Sequence, residues 1–160
     1  MNLQNKLIED NILLPIKAEN KRDAVQELLS QLQASGILAT TSELFSTIND
    51  KENIFTSAAG RGIAYPHSTS KEVDKLVCIL GISETGIDFD SPDGQLCHLI
   101  LLTLSPEKDP SEHRKFITRF RIMFDDPETR SSLFVANQSR QVIEIIQKWE
   151  ERESTNDGLE

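Results

Sequence analysis

The sequence predicts an α/β fold in which helices cover both faces of a β-sheet. Two short segments, residues 76–82 (LVCILGI) and 97–104 (CHLILLTL), are apolar almost without interruption, as strands buried on both faces are. Four other segments repeat apolar residues at helical spacing and a fifth carries a helix-start signal, and these helices and strands alternate along the chain. The length, 160 residues, is about that of one domain, and a 38% hydrophobic content suffices for a core. Residues 1–150 are expected to form that domain, and the polar stretch 151–160 (ERESTNDGLE) to fray as a tail.

The elements follow in order. Residues 12–16 are a weak strand candidate. Ala24, Val25, Leu28, Leu29 and Leu32 define one helical face, with Gly36 placed as its C-terminal cap. Thr40-Thr41-Ser42-Glu43 reads as a capping box opening a second helix that presents Leu44, Phe45 and Ile48. Residues 62–65 are another short strand candidate, and the two apolar runs are the strong ones. Between those runs, Asp90-Ser91-Pro92-Asp93-Gly94 forms a turn, since Pro presets φ and Gly accepts a positive one. Asp109-Pro110 predicts a cap and first position for a third helix, with Phe116, Ile117, Phe120, Met123 and Phe124 on its apolar face. Asp126-Pro127-Glu128 opens a fourth helix; Ser139 is placed as the cap of a fifth, carrying Val142, Ile145, Ile146 and Trp149.

Composition narrows the function. A net charge of −9 and a pI near 4.9 argue against nucleic-acid binding, which needs basic surface to displace counterions. The longest apolar run is five residues, 76–80, against the roughly 20 that span a bilayer, so no membrane insertion is expected. The N-terminus lacks the basic-then-apolar pattern of a secretory signal, and Cys78 and Cys97 lie in apolar segments without C-x-x-C spacing. Buried free thiols in a cytoplasmic protein are the expectation.

Residues 56–68 (TSAAGRGIAYPHS) look least like packing. Small residues let backbone N–H groups approach an anion, and a Pro-fixed His67 at the end could receive a phosphoryl group. The same stretch also reads as a surface turn with an ordinary exposed histidine. His113, in the first turn of the third helix, sits where free N–H groups favour anions, although a half-buried helix histidine fits equally. His98 alternates with Ile100, Leu102 and Leu104 and reads as a near-core residue. No carboxylate or cysteine spacing supports a metal site on the three histidines. Lys51 is either a point charge for phosphate or part of a solvated helix end. Neither a G-x-S-x-G elbow nor a P-loop is present.

Lys51-Glu52, Ser57, Gly60, Gly62-Ile63-Ala64, Pro66-His67, Ile87-Asp88-Phe89-Asp90, Asp93-Gly94, Pro106 and His113 together resemble the signature of the phosphotransferase-system enzyme IIA family, fructose/mannitol type, with the nitrogen-regulatory IIA branch nearest. The intervals match without a gap: six residues from Lys51 to Ser57 and ten from Ser57 to His67. The resemblance implies a mixed sheet and a phosphohistidine carrier that needs no cofactor or metal. His67 would accept the phosphoryl group from an HPr-like phosphocarrier protein, and His113 would bond the transferred group or orient His67. Lys51, Ser57, Gly60, Gly62 and Ser68 would hold its oxygens. Onward partners would be a IIB domain, or a transporter or kinase regulated by the phosphorylation state. A sugar-transport IIA component and a non-catalytic regulatory binding module share the pattern. A neutral imidazole is the acceptor form, and an ordinary histidine pKa of about 6.5 leaves most of it available at pH 7. The chain departs from the family pattern at Lys51 (Arg), Ser57 (Thr), Ala58-Ala59 (Gly-Ile), Tyr65 (Ile) and Arg114 (Leu).

Overall fold

In the computed structural model, which describes residues 2–157, the two strong strands form the axis of one sheet. The strands are β1 (Ile12–Leu13), β2 (Ala58–Gly60), β3 (Ile63–Ala64), β4 (His67–Ser70), β5 (Val77–Ile87) and β6 (Cys97–Pro106). The helices are α1 (Lys21–Ala34), α2 (Ser42–Ile54), α3 (Ser111–Asp125), α4 (Pro127–Val135) and α5 (Ser139–Asp157). The sheet order is β1-β5-β6-β3-β2, with β4 also pairing β6. β5 and β6 are antiparallel, while β1 on β5 and both β3 and β4 on β6 are parallel. The expected mixed α/β sheet is the observed one.

Alternation along β6 divides the core. Leu99 and Leu101 pack with Phe116, Phe120 and Trp149 beneath α3 and α5. Ile100, Leu102 and Leu104 pack with Leu28, Leu29 and Ile48 beneath α1 and α2. Both faces are therefore covered, which is why these strands read as continuous apolar runs. His98 leaves the alternation predicted for it. The amides of His98 and Leu99 both donate to the Gly62 carbonyl, at 2.8 and 3.1 Å, a bulge in the ladder. Cys97 consequently joins the Ile100 face, and His98 turns the other way, its ring edge on Phe134 at 5.8 Å and its Nδ1 on the Ser83 carbonyl at 2.9 Å.

Several local expectations change. Thr41 is the N-cap of α2, but no capping-box bond forms; its hydroxyl accepts from Gln26 of α1 at 3.4 Å, so a tertiary contact replaces the local one. The cap of α3 shifts one residue: Pro110 holds the N-cap position and the Asp109 carboxylate accepts from the Ser111 amide at 3.0 Å. Ser139 lies inside α5 and donates instead to the Ile12 carbonyl at 3.3 Å. The Asp126 cap of α4 forms as expected, and Gly36 has φ +83° beyond α1. The segment expected to fray is helical through Asp157, because Arg152 reaches back to Asp126 and Thr129 at 3.3 and 3.1 Å. Residues 158–160 of that segment lie outside the described ones.

Candidate functional site

Residues 56–68 are not the open, anion-cradling loop that their composition suggests. They form the β2–β3 hairpin and the start of β4. Four amides of the segment are already occupied: Ser57 donates to Glu52, Ala58 to the Thr56 hydroxyl, Arg61 to Asp93 and Tyr65 to the Ser57 carbonyl. Gly60 and Gly62, at φ +86° and +87°, flank Arg61 at the hairpin tip. A Cβ on Gly62 would lie 3.0 Å from Phe134, and one on Gly60 3.1 Å from the Asp93 carboxylate. Both glycines serve the turn; neither lines the cleft beside His67.

Pro66 interrupts pairing between β3 and β4, and its carbonyl accepts from Thr103 at 3.1 Å. His67 then opens β4 with an exposed side chain, and alternation buries Ser68. The Ser68 hydroxyl donates to the Thr69 carbonyl at 2.9 Å and borders a different cavity, beside Thr40 and Leu44. Its side chain is not part of the His67 site. The opposite directions follow from the two-residue period of a strand.

His67 faces His113, the third residue of α3, with ring centroids 5.2 Å apart and planes tilted 33°. His67 Nδ1 lies 3.1 Å from the Tyr65 carbonyl, which can only accept, so Nδ1 is the donor and, in the neutral form of the ring, Nε2 is the bare nitrogen. Lys51, Ser57 and His67 border one cleft of about 400 Å³ with Glu52 and Phe55. Lys51 Nζ donates to the His67 carbonyl at 2.7 Å, tying α2 to β4. Burial lowers the Lys51 pKa, with the Glu52 charge acting against it. Burial also lowers that of His113, helped by the charges of His67, Lys51 and Arg114, so His113 is neutral at pH 7.

Three buried polar atoms around His67 have no partner: Ser57 Oγ, His113 Nε2 and Thr103 Oγ1. Thr103 was not anticipated from the sequence, although it is the one hydroxyl inside the run LILLTL. It stands beside His67 because the two residues are register partners in parallel strands. Glu52, 7% exposed, belongs to the motif but has no site role legible in the sequence; its carboxylate accepts from the Ser57 amide at 3.0 Å and so sets the cleft wall. Tyr65 is buried among α3 residues, and burial pushes its phenol up to about 12, so it stays protonated. Both cysteines are buried free thiols, and burial raises Cys97 to about 12 and Cys78 further. Among the described residues no cluster of His, Cys, Asp and Glu could hold a metal ion, and no helix is long and apolar enough to cross a membrane.

Comparison with known proteins places this geometry. Residues 6–149 match the family described as "Phosphoenolpyruvate-dependent sugar phosphotransferase system, EIIA 2". The chain is 27% identical over 146 residues to the PTS system fructose-specific EIIABC component of Bacillus subtilis, an alignment covering 91% of this chain and 23% of that protein. It is 26% identical over 142 residues to the nitrogen regulatory protein of Bradyrhizobium diazoefficiens, covering 88% of this chain and 92% of that one. The chain thus spans about a quarter of the first relative and most of the second. In fold it resembles the crystal structure of nitrogen regulatory protein IIA-Ntr from Neisseria meningitidis, with a TM-score of 0.81 at 23% identity, covering 90% of this chain and 98% of that one. With the family's pattern matched over most of its length, this chain belongs to the EIIA 2 family of the phosphoenolpyruvate-dependent sugar phosphotransferase system.

Proposed function

We propose that His67 is the residue that carries the phosphoryl group, through Nε2. The observation that carries this reading is the exposed His67 ring, tied at Nδ1 to the Tyr65 carbonyl and facing a neutral His113 at 5.2 Å. The bare Nε2 attacks the phosphorus of a phosphohistidine on an HPr-type donor protein. An N–P bond forms at His67 as the donor's N–P bond breaks, and the electron pair returns to the donor ring. The moving group bears its charge on three oxygens, so the protein's work is positioning and electrostatic stabilisation. His113 and the Ser57 hydroxyl supply polar contacts, and Lys51 supplies charge while holding the His67 backbone. Phosphate-holding roles for Gly60, Gly62 and Ser68 have no side-chain or cleft geometry behind them and are not part of this reading.

The group would then pass to a IIB domain, or its presence on His67 would regulate a partner such as a transporter or kinase. Similarity to a nitrogen regulatory protein supports regulation, and similarity to a fructose-specific EIIABC component supports onward transfer. A regulatory module that binds partners without phosphotransfer is the second reading, favoured by Lys51 being engaged on a backbone carbonyl. Incubation with a phosphorylated HPr-type protein tests the two. Acid-labile label on His67 is expected, and partner binding without any label in the presence of competent donors would replace the first reading by the second.

A further inference from the structure

Thr103 is the unexplained group of the site. In the parallel register of β4 on β6 its side chain shares a sheet face with that of His67, and Leu101, two residues earlier, packs on the α3 side with Phe116 and Phe120. Thr103 therefore points into the layer between sheet and α3, from which His113 descends. It is 1% exposed and its hydroxyl has no partner. His113 Nε2 is likewise buried and unpartnered, although the ring as a whole is only half-buried. An unmade bond on a buried polar group is destabilising, and valine would fill the same volume without that cost.

The two orphans are chemically complementary. A threonine hydroxyl donates, and a bare imidazole nitrogen accepts. A neutral histidine has one N–H, and the partner of one nitrogen decides which nitrogen keeps it. On the reading that His67 carries the phosphoryl group, His113 has to present a donor to that group's oxygens.

We infer that Thr103 is a positioning residue for the phosphorylated state: its hydroxyl donates to His113 Nε2 and thereby fixes the Nδ1–H tautomer that bonds the phosphoryl group on His67. In the unloaded protein this bond is unmade; ring adjustment towards the phosphoryl group closes it. The threonine is thus exchanged from an unpaired to a paired state by loading.

Phosphoramidate, a small-molecule phosphoryl donor, loads the full-length chain without any protein partner. With ¹⁵N-histidine, the loaded parent is expected to show His113 protonated at Nδ1 and bare at Nε2. Thr103→Val should shift His113 towards the Nε2–H form and shorten the lifetime of the phosphohistidine roughly three- to tenfold, one net hydrogen bond's worth. Thr103→Ser should restore both. Thr103→Ala is the second hydroxyl-free variant, in case valine disturbs packing. A hydroxyl with only a structural part would change the melting temperature and leave tautomer and lifetime alone; that result, or Nε2–H on His113 in the loaded parent, overturns the inference. Failure of the parent to take label on His67 overturns the proposed function as well, and so separates the two.

Discussion

Two glutamates are buried to the same depth at two places in the molecule, Glu150 at 5% exposure and Glu52 at 7%, and they are used differently. Glu150, on α5, uses both oxygens: Oε2 accepts from the Leu3 amide at 3.1 Å and Oε1 from the Gln4 amide at 3.0 Å. Arg119, stacked 4.6 Å over Trp149, adds a cation 3.8 Å away. The result clasps the N-terminal segment onto the last helix. Glu52 takes one amide, that of Ser57, through Oε2 alone, at the wall of a cleft whose neighbouring polar atoms lack partners. At the clasp both Glu150 oxygens are matched and Arg119 Nε alone lacks a partner; around His67 three polar atoms lack one.

Exchanging residues on either side of this contrast tests it. The largest effect is expected on function: His67→Ala should abolish phosphoryl labelling. It should leave circular dichroism and the melting temperature nearly unchanged, since the exposed ring makes a single hydrogen bond, to the Tyr65 carbonyl. A large fall in melting temperature would place His67 in the structural class with Glu150. Next comes Glu150→Gln. The glutamine NH2 would replace one of the two accepting oxygens and set a donor against a backbone N–H, and the Arg119 charge loses its partner, so a loss of about 2–3 kcal/mol is expected. At this chain length that lowers the melting temperature by roughly 5–10 °C. Labelling of His67 should not change.

Lys51→Met removes the strap between α2 and the His67 carbonyl and should slow labelling by about tenfold, one charge-assisted hydrogen bond's worth. A rate equal to the parent's would make the cation peripheral. Acidification gives a smaller effect. His113 has a pKa below its ordinary 6.5, with burial the leading cause, so the unfolded chain takes up a proton first as pH falls. That contribution to stability is whole above about pH 6.5 and declines below it, levelling off once the folded-state pKa is passed. His113→Gln should flatten this part of the melting-temperature profile; an unchanged profile would show that His113 is solvated. The smallest effect is expected at Glu52→Gln, where one oxygen still meets the one donor, and a shift within about 0.5 kcal/mol is predicted. A loss as large as that at Glu150 would erase the contrast between the two carboxylates.

The elements were legible wherever the signal was local. The five apolar positions of α1 are all buried, the Asp126-Pro127 start of α4 caps as read, and both long apolar runs are the central strands. Gly94, with φ +73° and its amide on the Ser91 carbonyl at 3.0 Å, completes the turn that its residues announced. Legibility failed where a neighbour outside the segment intervened. Thr41 bonds Gln26 in place of its own helix, and Ser139 bonds Ile12. Arg152 keeps a polar segment helical by reaching Asp126. The glycines of the hairpin signalled small-residue chemistry correctly, but their small size serves Phe134 and Asp93 rather than an anion.

Residue spacing along the chain determined the helices and the buried strands, because periodicity and turn chemistry act over a few residues; pairing His67 with His113 came from the family resemblance, not from spacing. Which side chains meet was settled only by strand register and helix docking. Parallel pairing of β4 with β6 set Thr103 beside His67, one residue's alternation sent Ser68 the other way, and the seating of α3 on the sheet brought His113 within 5.2 Å. Those outcomes depend on contacts between segments far apart in the chain, where a shift of one residue would turn every side chain to the opposite face.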